Sequence, residues 1–135
     1  MSINKNDVLS NFHGAKSVSV SKDITDAGVI SIINSKSNGK RISLSKELMD
    51  KLDNPSRVQF AFSENSIAIG VGFLDEVPDY KINESKTKGL IYASKLVEEI
   101  TEEFELDFSD RTSITFHDVE YIDEENICIA IIKIK

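Results

Sequence analysis

Between Gly39 and Phe73 the apolar residues change their spacing twice. Ile42 and Leu44 alternate with polar residues, which predicts a strand over 40–44. Leu48, Met49 and Leu52 then recur at helical spacing, predicting a short helix from Lys46 to Asn54. Val58, Phe60 and Phe62 return to a period of two. Ser63 to Ser66 reads as a turn. Ile67, Ile69, Val71 and Phe73 resume one face, with Gly70 and Gly72 opposite, where another backbone approaches closely. The predicted order is strand, helix, strand, turn, strand.

The helix carries its own start and stop signals. Ser45 is the expected N-cap, since its hydroxyl can accept from a backbone N–H of the first turn. Glu47 sits where the helix dipole favours a carboxylate. Leu44 and Met49 have the spacing of a hydrophobic staple. Asn54 precedes Pro55 and is pushed out of the α region. Two turns do not hold alone in water, so this helix must pack on its neighbouring strands.

The same patterning places the rest. Asp7 to Phe12 predicts a helical turn anchored by Val8, Leu9 and Phe12, and His13-Gly14 ends it. Ser17 to Ser21 alternates as a strand, and Asp23 to Gly28 is a turn. Val29 to Ile33 is apolar on both faces, as in a central strand. Asn38-Gly39 closes a hairpin onto 40–44. Residues 75–89 are polar and acidic and read as a connector longer than an ordinary loop. Leu90 to Glu105 is predicted as an amphipathic helix with Ala93, Leu96, Val97, Ile100 and Phe104 on one face. Ser113 to Ile122 is a strand whose apolar phase switches near His117-Asp118, which predicts a bulge there. Asp123 to Asn126 turns into a last strand over 127–134, apolar on both faces.

The expected fold class is α+β: antiparallel β-sheets with two helices and a swapped-hairpin or pseudo-duplicated core. Residues 1–74 form one half and 90–135 the other, or the two make one domain. Val58-Gln59-Phe60 answers Ile114-Thr115-Phe116, and Asn65 to Ile69 answers Asn126 to Ile129. That likeness fits a diverged duplication, or the chance recurrence of a helix followed by a hairpin.

The run Gly39-Lys40-Arg41-Ile42-Ser43-Leu44-Ser45, the helix with Leu48 and Leu52, and the strands Val58 to Phe62 and Ile67 to Ile69 resemble the swapped-hairpin module of AbrB/MazE-type regulators and antitoxins. The resemblance covers residues 39–73. It implies hairpins interleaved between two copies, and DNA contact through basic residues.

Charge divides the 135-residue chain unevenly. Its net charge is −7. Residues 1–57 carry +3 and residues 58–135 carry −10. A divided chain leaves room for a local basic patch beside an acidic face. Lys36, Lys40, Arg41, Lys46 and Arg57 are the candidate DNA-binding residues, with Lys51 in the same group. Arg41 and Arg57 lead, because a guanidinium forks onto phosphate or guanine. Glu98, Glu99, Glu102 and Glu103 on the later helix are the alternative site, fitted to a basic protein partner. Such a run is also what a solvated helix face looks like.

Catalytic chemistry is not indicated. His13, His117 and the single Cys128 have no zinc spacing. His117 and Asp118 are strand neighbours and point to opposite faces. Gly70-Val71-Gly72 lacks the third glycine of a phosphate loop. Cys128 between isoleucines reads as a buried thiol. No cofactor, metal or membrane span is expected. The polar N-terminus and single cysteine fit a cytoplasmic protein. Two-sided apolar strands suggest a homodimer. Abundant Lys, Asn, Ile, Ser and Glu resemble proteins of a low-GC bacterium or its phage. The sequence therefore supports a double-stranded-DNA-binding transcription regulator first. A phage-type inhibitor or adaptor, holding a host nucleic-acid enzyme through its acidic helix, comes second.

Overall fold

The computed structural model describes residues 28–37, 39–124 and 127–135. The expected helical turn at 7–12, the strand at 17–21 and residues 23–27 of the expected turn at 23–28, together with His13, Asn38 and Asn126, lie outside the described residues. In chain order the elements are β1 (Ile30–Ser35), β2 (Gly39–Ser45), α1 (Lys46–Lys51), β3 (Arg57–Phe62), β4 (Ser66–Gly70), β5 (Tyr80–Lys81), β6 (Asn83–Glu84), β7 (Lys88–Ile91), α2 (Ser94–Glu103), β8 (Ser113–Phe116), β9 (Val119–Glu124) and β10 (Ile127–Lys133). The protein is α+β, with antiparallel sheets.

The alternating stretches form two five-stranded sheets, ordered β6-β7-β2-β1-β8 and β5-β3-β4-β10-β9. Their inward rows make one core. Ile30 and Ile32, Ile42 and Leu44, and Ile91 enter it from the first sheet. Phe60, Ile67, Ile69, Ala130 and Ile132 enter it from the second. Each buried aliphatic or aromatic side chain stabilises the fold by about 1.5–3 kcal/mol relative to exposure.

Both lateral edges are joined by chain. β5 pairs with β3 in the second sheet, and β6, one residue on, pairs with β7 in the first. Ile82 at that corner is buried, and its N–H donates to the Ser56 carbonyl at 2.8 Å. β8 pairs with β1, and β9, two residues on, pairs with β10. Strands that change sheets at a bend are the mark of orthogonally packed sheets. This arrangement replaces the predicted bulge at His117-Asp118. Ile114 and Phe116 lie on the inward rows of the first sheet, and Val119 and Tyr121 on those of the second, so the phase switch marks a change of sheet. The expected connector 75–89 likewise carries β5, β6 and the start of β7.

Both helices serve the core. Ser45 caps α1, accepting from Leu48 N–H at 3.1 Å, and Leu44 and Met49 are buried as a staple requires. α1 ends in a Schellman pattern: Asn54 N–H donates to the Met49 carbonyl at 2.7 Å, and Asp53 N–H to that of Asp50 at 3.0 Å. α2 begins at Ser94, not at Leu90. Leu90 and Ile91 are still paired with Ser43 and Ile42, so sheet pairing overrides the helical spacing there. Leu96, Val97 and Ile100 of α2 are buried, and Phe104 meets Phe62 edge-on at 5.9 Å. The alternation expected through Phe73 stops at Gly70. Val71 is exposed, and Phe73 folds back over Gly70.

Candidate functional site

The five basic candidates are not gathered on one face. Lys40 and Arg41 are strand neighbours on β2 and therefore project to opposite faces. Lys40 turns to α2 and donates to Glu98 Oε2 at 2.8 Å. Lys46, five residues beyond Arg41, lies on α1 with Asp50 Oδ1 at 3.8 Å. Arg57 belongs to the other sheet, where its Nε donates to Asp79 Oδ1 at 2.7 Å. Lys36 sits in the turn between β1 and β2. Lys51 lies over the Tyr121 ring, 5.3 Å from its centroid.

The acidic candidates are brought together. Glu98, Glu99, Glu102 and Glu103 share the exposed side of α2, opposite its buried Leu96, Val97 and Ile100. Glu105, Asp107 and Asp110 continue the acidic surface beyond the helix and are exposed. The helix ends in a second Schellman pattern. Leu106 N–H donates to the Thr101 carbonyl at 3.0 Å, and Glu105 N–H to that of Glu102 at 3.3 Å. The C′ residue of this pattern favours glycine, but here Glu105 holds it at φ 53°.

The electrostatics of the ridge are uneven. The hydrogen bond and charge of Lys40 hold the Glu98 carboxyl below its ordinary pKa. Hydrogen bonding from Ser109 does the same for Asp107, whose carboxylate accepts from Ser109 N–H at 2.9 Å. The Tyr80 hydroxyl is pushed up by burial and then by the charge of Glu99. No acidic residue stands in the first turn of α2 and no basic residue in its last. Glu102 and Glu103 thus lie at the negative end of the helix dipole, where a carboxylate costs about 0.3–1 kcal/mol.

Two features of this region escaped the sequence reading. Lys40 and Glu98, assigned to rival sites, are partners across 58 positions of chain. Tyr92, read as part of a helix, is 62% exposed in the link between β7 and α2. The strand phase of Leu90 and Ile91, which carries Tyr92 outward, was the available signal.

Elsewhere the chemistry is quiet. His117 and Asp118 occupy the exposed corner between β8 and β9. Cys128 is half-buried, and its thiol is pushed up to about 11 by burial, then by Asp123 beside it. A thiol so protonated is a poor nucleophile. No group of His, Cys, Asp or Glu among the described residues is placed to hold a metal ion. No helix among the described residues is long and apolar enough to cross a membrane. Comparison with protein-family models, with curated proteins and with solved structures finds no match for this chain.

Proposed function

We propose that the chain is a protein-binding inhibitor or adaptor whose α2 ridge occupies a basic groove on a nucleic-acid-binding partner. One observation carries this reading. Glu102 and Glu103 occupy the C-terminal turn of α2, where they oppose the helix dipole and the turn holds no basic residue. Residues that cost their own helix stability are better explained by what they bind than by what they hold together. The spacing agrees. Four carboxylates fall within about 9 Å of helix axis, taking ~1.5 Å per residue. Duplex DNA carries about one charge per 1.7 Å. With Glu98 countered by Lys40, the ridge remains a dense line of negative charge beside an exposed tyrosine, a residue type favoured at binding hot spots.

Direct binding of DNA by this chain has less support. Lys40 and Arg57 are each held by a carboxylate, and they belong to different sheets. The reading makes a two-sided prediction for Glu99→Lys/Glu102→Lys/Glu103→Lys. Removing charge that opposes the dipole raises stability by about 0.3–1 kcal/mol for each last-turn substitution. The same variant loses the partner. The test immobilises the chain, captures protein from a bacterial lysate, and elutes with duplex DNA. Expected is a basic protein, released by DNA and by salt and absent from the triple variant. Capture that survives the triple variant counts against the ridge. If a labelled duplex instead binds the chain directly, with affinity falling steeply in salt, the regulator reading replaces this one.

A further inference from the structure

The outward face of the first sheet carries an unassigned groove. α1 and α2 contribute their apolar residues to the inward core, so neither covers this face. Alternation puts Ile30, Ile32, Ile42 and Leu44 inside, which leaves Ser31, Ser43 and Ser45 on the outside. Ser31 and Ser43 are directly paired across β1 and β2, and Ser45 stands opposite Lys88 of β7. The first turn of α1 adds Lys46 and Glu47 as a wall. Together these residues line a cavity of about 400 Å³, within the ~300–1,000 Å³ of small-molecule sites.

We infer that this groove binds a phosphate ester carried on a sugar. Lys46 and Lys88 line the groove together with the hydroxyl-bearing Ser31, Ser43 and Ser45. Lys46 is only weakly engaged, by Asp50 at 3.8 Å with both side chains exposed. The Ser45 oxygen accepts from Leu48 N–H, which leaves its O–H proton to donate outward. Ser31 shares a hydrogen bond with Thr115 at 2.7 Å, so its oxygen is held in place at the floor. Lysine ammonium and serine hydroxyl groups are phosphate donors. Glu47 is acceptor-only and suits a sugar hydroxyl. It also weighs against a ligand of high negative charge. A sugar phosphate, free or as one unit of a nucleic-acid strand, matches this set.

The test titrates ¹⁵N-labelled protein with ribose 5-phosphate, ribose, inorganic phosphate and a short single-stranded RNA. It follows the amides of residues 31, 43, 46 and 88. Expected are saturable shifts with ribose 5-phosphate, binding about tenfold weaker for ribose and for phosphate alone, since each lacks one half of the contacts. Lys46→Gln/Lys88→Gln, both at exposed positions, weakens ribose 5-phosphate by about tenfold or more while the rest of the spectrum is unchanged. RNA that saturates the same amides at lower concentration than the monomer assigns the sugar phosphate to a nucleic-acid strand. Absence of saturable shifts with both ribose 5-phosphate and RNA overturns the inference. So does phosphate alone binding as well as its sugar ester, or an undiminished affinity in the double variant.

Discussion

Tyr121 shows how one inward position is set by its neighbours. It lies on β9 across from Ala130, and its hydroxyl is buried with no hydrogen-bond partner among the described residues. Burial, then the charges of Glu47 and Cys128, push the phenol up to about 12 from its ordinary 10.0. The sign follows directly. The unfolded chain loses this proton more readily, so the contribution to stability is whole below pH 10.0 and is lost as pH rises from there through about 12. Cys128 acts in the same direction between 9.0 and about 11. Tyr121→Phe removes the unpaired hydroxyl and keeps the ring under Lys51. It is expected to raise stability at neutral pH by about 1 kcal/mol. It also flattens the loss of stability between pH 10 and 12. Urea denaturation at pH 7 and at pH 10.5 checks both. A destabilised variant at neutral pH means that the hydroxyl has a partner after all.

At the scale of elements, the loop after β4 depends on Gln59. This side chain is 6% exposed, on the outward row of β3. It accepts from Leu74 N–H at 2.9 Å and donates to the carbonyls of Leu74 and Val77, both at 3.0 Å. Beside it Phe73 rests on Gly70, where an added Cβ would meet the ring at 3.0 Å. The loop is thus a lid on the second sheet, secured by an amide and a ring. Gln59→Ala leaves three partly buried backbone groups without their partner, at about 1–3 kcal/mol for each one that water does not reach. Hydrogen exchange is expected to quicken at Leu74 while β10 stays protected. Uniform quickening of both would make the loop part of the core. The sequence made the alternating rows, the Ser45 cap and the apolar face of α2 legible, because each depends on neighbours a few residues away. It did not show Gln59 as buried. An outward strand position reads as solvent-facing until a loop 15 residues on folds over it. The same holds for Lys40, whose acidic partner lies on another element, and for the phase switch at His117-Asp118. An extra residue and a change of sheet leave one trace in the sequence, and only the pairing partners of β8 and β9 tell them apart.

In the whole molecule, each sheet takes strands from both sides of the 75–89 segment. β7 and β8 complete the sheet begun by β1 and β2, while β9 and β10 complete the one begun by β3 and β4. The described residues of 28–74 and of 90–135 therefore share both sheets and one core, and neither set buries its inward rows without the other. The corners at Ile82 and at His117-Asp118 add a covalent reason for the sheets to melt together. A chain of this size is expected to unfold in one step. Far-UV circular dichroism in urea reports both sheets, while pulsed modification of Cys128 reports the second alone. Their midpoints are expected to coincide. Modification that precedes the loss of ellipticity would mean that the second sheet opens first, and that the corners are hinges rather than ties. The distinction bears on the α2 ridge. α2 packs on β1 and β2, and through Phe104 on Phe62 of β3, so a core that holds together presents its carboxylates in a fixed line, which would lower the ordering cost of the proposed binding. A core opening at β3 would loosen that line, and the capture proposed for the ridge is then expected to weaken at the urea concentration where Cys128 becomes reactive.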